Sequence, residues 1–126
     1  KWIDEIDFPQ NLKEEVFVKR LDGPLFFGYT NDFQQLANEI PHTATHVIIR
    51  MGRVPYIDQS GLYALEEVLL KLRNDGVIPL IINLQKQPKY LMERIDIIPD
   101  LVPEKHLFRK FQDCMRYIKS NVDNVV

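Results

Sequence analysis

Apolar residues along this chain fall into two rhythms. In 16–21 (VFVKRL), 45–51 (THVIIRM) and 77–82 (VIPLII) they form short runs rich in β-branched residues, which predicts strands. The last two runs are apolar on both faces, the pattern of central strands covered by helices. Pro79 cannot donate to a sheet ladder, so its place is expected near a strand start or at a bulge. The other rhythm is helical. Leu62, Leu65, Val68, Leu69 and Leu72 recur at three- and four-residue steps within 61–74, with Glu66, Glu67, Lys71 and Arg73 on the opposite face. Gly76 follows where a helix C-terminus wants a left-handed residue. Strand, helix, strand in this order predicts a right-handed parallel crossover.

The flanking segments are read the same way. Asp22-Gly23-Pro24 is a turn signal, and 25–28 (LFFG) is read as a second short strand antiparallel to the first. Thr30 or Asn31 caps a predicted helix that carries Phe33, Leu36, Ala37 and Ile40 on one face and stops before Pro41. A shorter helix is predicted at 88–94, an apolar proline-containing connection at 95–103, and a short last strand at 106–108. Phe108, Phe111, Met115 and Ile118 mark one face of a final helix ending near Ser120. The sum is an α/β fold: a single domain with a four- to five-stranded mixed sheet and helices packed mainly on one side. The domain is assigned to 16–120, after a linker or peripheral segment at 1–15 and before a tail at 121–126.

Composition narrows the classes of function. A formal net charge of -2 gives no electrostatic case for nucleic acid as a partner. A single cysteine, Cys114, excludes an internal disulfide and fits a reducing compartment. No apolar run reaches membrane-spanning length. The chain opens at Lys1 rather than Met, which fits a piece cut from something longer.

The turn Asp58-Gln59-Ser60-Gly61 carries the candidate chemistry. Either Asp58 or Ser60 can cap the following helix by accepting a backbone N–H, worth about 1 kcal/mol. Gly61 supplies backbone freedom. The sharper reading makes Ser60 a phosphoacceptor. A phosphoryl group there would meet free N–H donors at the positive end of the helix dipole, and would add roughly -1.5 to -2 charge beside Asp58. Hydrolysis by Ser60 is not expected, because the Gly-x-Ser-x-Gly elbow is missing. No other nucleophile, base and oxyanion-hole set can be assembled, so the chain is not read as an enzyme.

No cofactor or metal is expected. His42 and His46 have helical i, i+4 spacing but sit in a loop-to-strand stretch, and are read as surface or strand-edge residues. His106 stands apart and is read as structural. Gly-rich phosphate loops are missing. Arg50, Arg53, Lys86, Lys89, Arg109 and Lys110 are scattered cations that would hold an anion only if several converged at one sheet end. Leu62 and Tyr63, beside the turn, are the candidate partner surface.

The series THVIIRM, YIDQSGLYAL, helix and VIPLII resembles the STAS domain, the sulfate transporter and anti-sigma factor antagonist module, over roughly 16–120. The Gly-x-Leu-Phe-Phe turn at 23–27 is similar to that of the C-terminal cytoplasmic domains of SulP-type anion transporters. This resemblance implies a regulatory or interaction domain on the cytoplasmic side of the inner membrane. Its partner would be the membrane domain of the same transporter, which moves sulfate or a related anion. In antagonists of the family the serine matching Ser60 is phosphorylated by a partner kinase. Hence the alternative implied is a free-standing anti-sigma factor antagonist, although Gln59 departs from the Ser often found there. A further alternative is a nucleotide- or anion-sensing module, with weak nucleotide binding around Phe27, Tyr29 and Asp58.

Overall fold

The computed structural model describes residues 15–23, 35, 36 and 38–123. The strands are β1 (Val16–Asp22), β2 (His46–Arg53), β3 (Ile78–Ile82) and β4 (Leu107–Phe108). The helices are α1 (Gln59–Asn74), α2 (Lys86–Arg94), the one-turn α3 (Ile97–Asp100) and α4 (Phe111–Asp123). The strands lie in the order β1-β2-β3-β4 and every described pair is parallel. The antiparallel partner expected at 25–28, which would make the sheet mixed, lies outside the described residues. So do Phe33, Ala37 and the capping residues of the helix expected before Pro41, although Leu36 is fully buried.

Strand parity sorts the core into two layers. Val47, Ile49 and Met51 of β2 and Ile81 of β3 face Leu62, Leu65, Val68, Leu69 and Leu72 of α1, together with Met92, Ile97 and Ile98. Ile48, Leu80 and Ile82 face the other way, against Phe111, Cys114, Met115 and Ile118 of α4. Among the described residues α1, α2 and α3 therefore cover one face, joined there by Leu36, and α4 covers the other. Burial pushes the Cys114 thiol up to about 12, so it behaves as a small apolar side chain.

The punctuation residues act as their chemistry requires. In a parallel ladder, alternate residues bond to opposite neighbours. The Ile78 N–H donates to the Thr45 carbonyl on the β2 side, so Pro79 turns its missing donor toward β4. There β4 pairs only with Ile81 and Ile82, and no ladder bond is lost. At the end of α1, Val77 N–H donates to Leu72 and Gly76 N–H to Arg73, with Gly76 at φ +73°. This is a Schellman closure, which needs the left-handed residue.

The two ends of the sheet are chemically different. At the amino end His46 is buried, 6% exposed, and its Nδ1 lies 2.8 Å from Thr45 Oγ1. His106 reaches Tyr117 Oη with Nε2 at 2.9 Å, and shares a cavity with His46 and Glu15. Two expectations are corrected here. His46 opens a central strand and so is covered from both sides, and His106 is not isolated. His42 is exposed, as expected.

Burial holds the His46 imidazole below its usual 6.5, with Glu15 opposing in part. Burial first, then the charges of Lys105 and His46, lower that of His106. The unfolded chain therefore binds more protons at these sites. Stability is full above the unfolded value near 6.5, and falls as pH drops from there toward the folded values. Urea midpoints at about pH 7.5 and about pH 5.5 should differ, the acidic one being lower. The difference should shrink in His46→Gln, and equal midpoints would contradict this account.

Candidate functional site

β2 runs out at Arg53 and the chain crosses Val54–Ile57 before α1 begins. Asp58 is extended, at φ -89° and ψ 176°, and its Oδ1 accepts from the Gly61 N–H at 2.7 Å. Leu62 N–H then donates to the Asp58 carbonyl. Asp58 is thus the cap, and Ser60 is the second residue of the helix. Among the described residues the Ser60 hydroxyl makes no hydrogen bond, and the side chain is half-buried. The amides of Gln59 and Ser60 are left without intrahelical acceptors, as the first donors of any helix are.

The segment entering this turn is clamped. The Ile57 N–H donates to Gln87 Oε1, and Gln87 Nε2 donates back to the Ile57 carbonyl, both at 2.9 Å. Gln87 is the second residue of α2, so the starts of α1 and α2 are fastened side by side. Between them lies a groove of about 520 Å³, lined by Tyr56, Asp58, Gln59, Tyr63, Leu91 and Arg94 among others. Tyr56 and Tyr63 are 45% and 47% exposed. Gln59 Nε2 donates to the Tyr63 hydroxyl at 3.1 Å, one helical turn on.

The residues singled out in the sequence separate accordingly. Asp58, Gln59, Ser60 and Gly61 form one turn, and Tyr63 stands exposed beside it. Leu62 reaches the groove wall but adds little to that surface: it is 4% exposed and packed mainly in the core layer with Leu65 and Leu69. Phe27 and Tyr29 lie outside the described residues. His46 sits at the start of β2 and Ser60 lies beyond its far end, the strand itself spanning roughly 23 Å, so the two do not meet. Among the described residues no group of three or more potential metal ligands occurs.

The scattered cations also separate. Arg50 is buried, with its guanidinium 4.7 Å over the Phe111 ring. Arg53 pairs with Asp22 at 3.5 Å. Lys86, Lys89 and Arg109 converge on a crevice at the carboxyl end of the sheet. Gln85 and Gln87, which frame the start of α2, escaped the sequence reading. Their only signal is the polar run Gln85-Lys86-Gln87 ahead of Pro88.

Among the described residues no helix is long and apolar enough to cross a membrane. The STAS domain family model matches residues 9–114. A Bacillus subtilis (strain 168) protein described as "Putative sulfate transporter YvdB" is 26% identical over 94 residues. That match takes in 74% of this chain but 18% of the relative, so the chain spans under a fifth of that protein's length. The crystal structure of a sulfate transporter family protein from Wolinella succinogenes superposes with a TM-score of 0.77 at 29% identity, covering 86% of this chain and 88% of that one. The SulP transporter STAS domain from Vibrio cholerae superposes with a TM-score of 0.73 at 24% identity, covering 87% and 85%. With its family matched across most of its length and its fold shared with these structures, this chain belongs to the STAS domain family.

Proposed function

We propose that this chain is the cytoplasmic regulatory or interaction domain of a SulP-type transporter of sulfate or a related anion. It works by docking rather than by catalysis. The observation that carries this reading is the match to the Bacillus subtilis sulfate transporter relative, in which a segment of this kind makes up only 18% of the whole. The surface assigned to docking is the groove edge at the start of α1, where Tyr56 and Tyr63 expose aromatic area next to a capped turn. Tyrosine suits that task, because it offers large, rigid contact at small entropic cost. The membrane domain of the same protein is the assigned partner, with a further cytoplasmic protein or kinase as a modulator. Reading the coding sequence on the N-terminal side of Lys1 tests the proposal. A long hydrophobic membrane region there is the expected result, and a start codon immediately before Lys1 overturns it.

One observation favours a second reading, a partner switch worked by phosphorylation of Ser60. Asp58 does the capping, so the Ser60 hydroxyl remains free for chemistry beside two unpaired amides. Phosphorylation would set a near-dianion against the Asp58 carboxylate and change the docking surface without unfolding the domain. Under this reading Ser60→Asp releases a partner that Ser60→Ala retains. Equal binding by both variants removes it.

A further inference from the structure

We propose that the crevice at the carboxyl end of β3 and β4 is a binding site for a tetrahedral oxyanion, a phosphate or sulfate group. This inference does not rest on the transporter reading and uses different residues from the Ser60 turn.

The crevice follows from the chain path. From β3 the chain passes into α2, on the face that carries α1. From β4 it passes into α4, on the opposite face. Where neighbouring parallel strands send their connections to opposite faces, a gap opens beyond their carboxyl ends, and ligands of open α/β sheets bind in such gaps. Here the gap has a volume of about 740 Å³.

Its lining is cationic. Lys86 and Lys89 come from the first turn of α2, and Arg109 follows β4 directly. Glu104 is the one carboxylate in the lining, 3.9 Å from Lys89, and it offsets a single charge. Three cations against one anion leave net positive charge in a recess, where low-dielectric walls strengthen its field.

The backbone adds donors and a fixed floor. Gln85 holds the extended cap position of α2 without a side-chain cap bond, because its Nε2 donates instead to the Gly52 carbonyl at 2.9 Å. The amides of Lys86 and Gln87 therefore stay open at the positive end of a nine-residue helix. Asn83, at φ +58°, donates its N–H to the Phe108 carbonyl and ties the two strand ends together. A Cβ on Gly52 would lie 3.1 Å from Asn83 Cβ, a close approach of the two strand ends under the crevice. Converging cations, open amides and a rigid floor suit an oxyanion better than a spherical halide, because each oxygen can accept from a separate donor.

The test is titration of this chain at constant ionic strength with inorganic phosphate, sulfate, chloride and AMP, followed by amide chemical shifts. Saturable shifts are expected for phosphate and sulfate at Gly52, Asn83, Lys86, Gln87 and Arg109, with none for chloride. Lys86→Gln and Arg109→Gln are exposed changes that keep the fold, and each should weaken phosphate by about tenfold. Lys71→Gln, on α1 away from the crevice, should leave it unchanged. AMP equal to or weaker than phosphate identifies a free anion, and AMP at least tenfold tighter identifies a phosphate ester. Chloride shifts that match those of phosphate, or phosphate binding untouched by both crevice variants, overturn the proposal.

Discussion

Replacing Leu62 with alanine should lower the unfolding free energy by about 2–5 kcal/mol, whereas replacing its neighbour Tyr63 should change it by no more than about 0.5 kcal/mol. The contrast comes from helix geometry alone. Consecutive residues of α1 point about 100° apart, so Leu62 enters the layer with Leu65 and Leu69 while Tyr63 leaves it. Truncating Leu62 removes fully packed methyl groups and leaves a void that its neighbours only partly fill. Truncating Tyr63 gives up a half-exposed ring and one exposed hydrogen bond from Gln59. Urea midpoints of the two variants decide the matter, and equal losses would mean that α1 is rotated from its assigned facing. A second readout belongs to Tyr63. If the groove edge is the docking surface, Tyr63→Ala should weaken association with the membrane domain in a protein of undiminished stability.

The same pair shows how far the sequence could be read. The stripe from Leu62 to Leu72 makes a helix unavoidable, and Gly76 marks its end through a backbone angle that other residues resist. The double-sided apolar runs make β2 and β3 central for a similarly local reason. What local pattern leaves open is a residue's role at the edge of a stripe. Leu62 begins the apolar stripe, and only the seating of α1 on β2 decides that it is covered. In the same way, Asp58 and Ser60 are both competent caps two residues apart, and the choice depends on where the extended backbone stops. Burial of His46 and its meeting with His106 are non-local, since they join the start of β2 to the segment before β4. The convergence of Lys86, Lys89 and Arg109 is non-local too. It exists because α2 and α4 leave the sheet on opposite faces, which no spacing along the chain records.

Gln87→Ala should cost roughly 2–4 kcal/mol, a large effect for a polar side chain. The side chain gives and receives one hydrogen bond with the backbone of Ile57, itself fully buried. Alanine leaves both the Ile57 N–H and its carbonyl without their partner, and each such group costs about 1–3 kcal/mol where water cannot replace it. Gln87→Glu separates the two halves of the clamp. A carboxylate still accepts from the Ile57 N–H, but it has nothing to donate to the Ile57 carbonyl and sets negative charge against that oxygen. Glutamate should therefore recover only part of the loss, and less at neutral pH than at low pH, where the protonated acid can donate again. Gln59→Ala, which gives up an exposed bond to Tyr63, is the matched control and should be nearly silent. Urea unfolding of the three variants gives the ranking, and hydrogen exchange at Gly61 and Leu62 gives the location. Faster exchange there in Gln87→Ala would mean that the start of α2 holds the turn before α1 in place. A wild-type midpoint in that variant would mean that the turn stands without it. With the clamp intact, an anion seated beside Lys86 lies one residue from the bond that fixes Ile57. The clamp then ties the start of α2, which lines the crevice, to the segment that enters the Ser60 turn, and Gln87→Ala is the substitution that removes that tie.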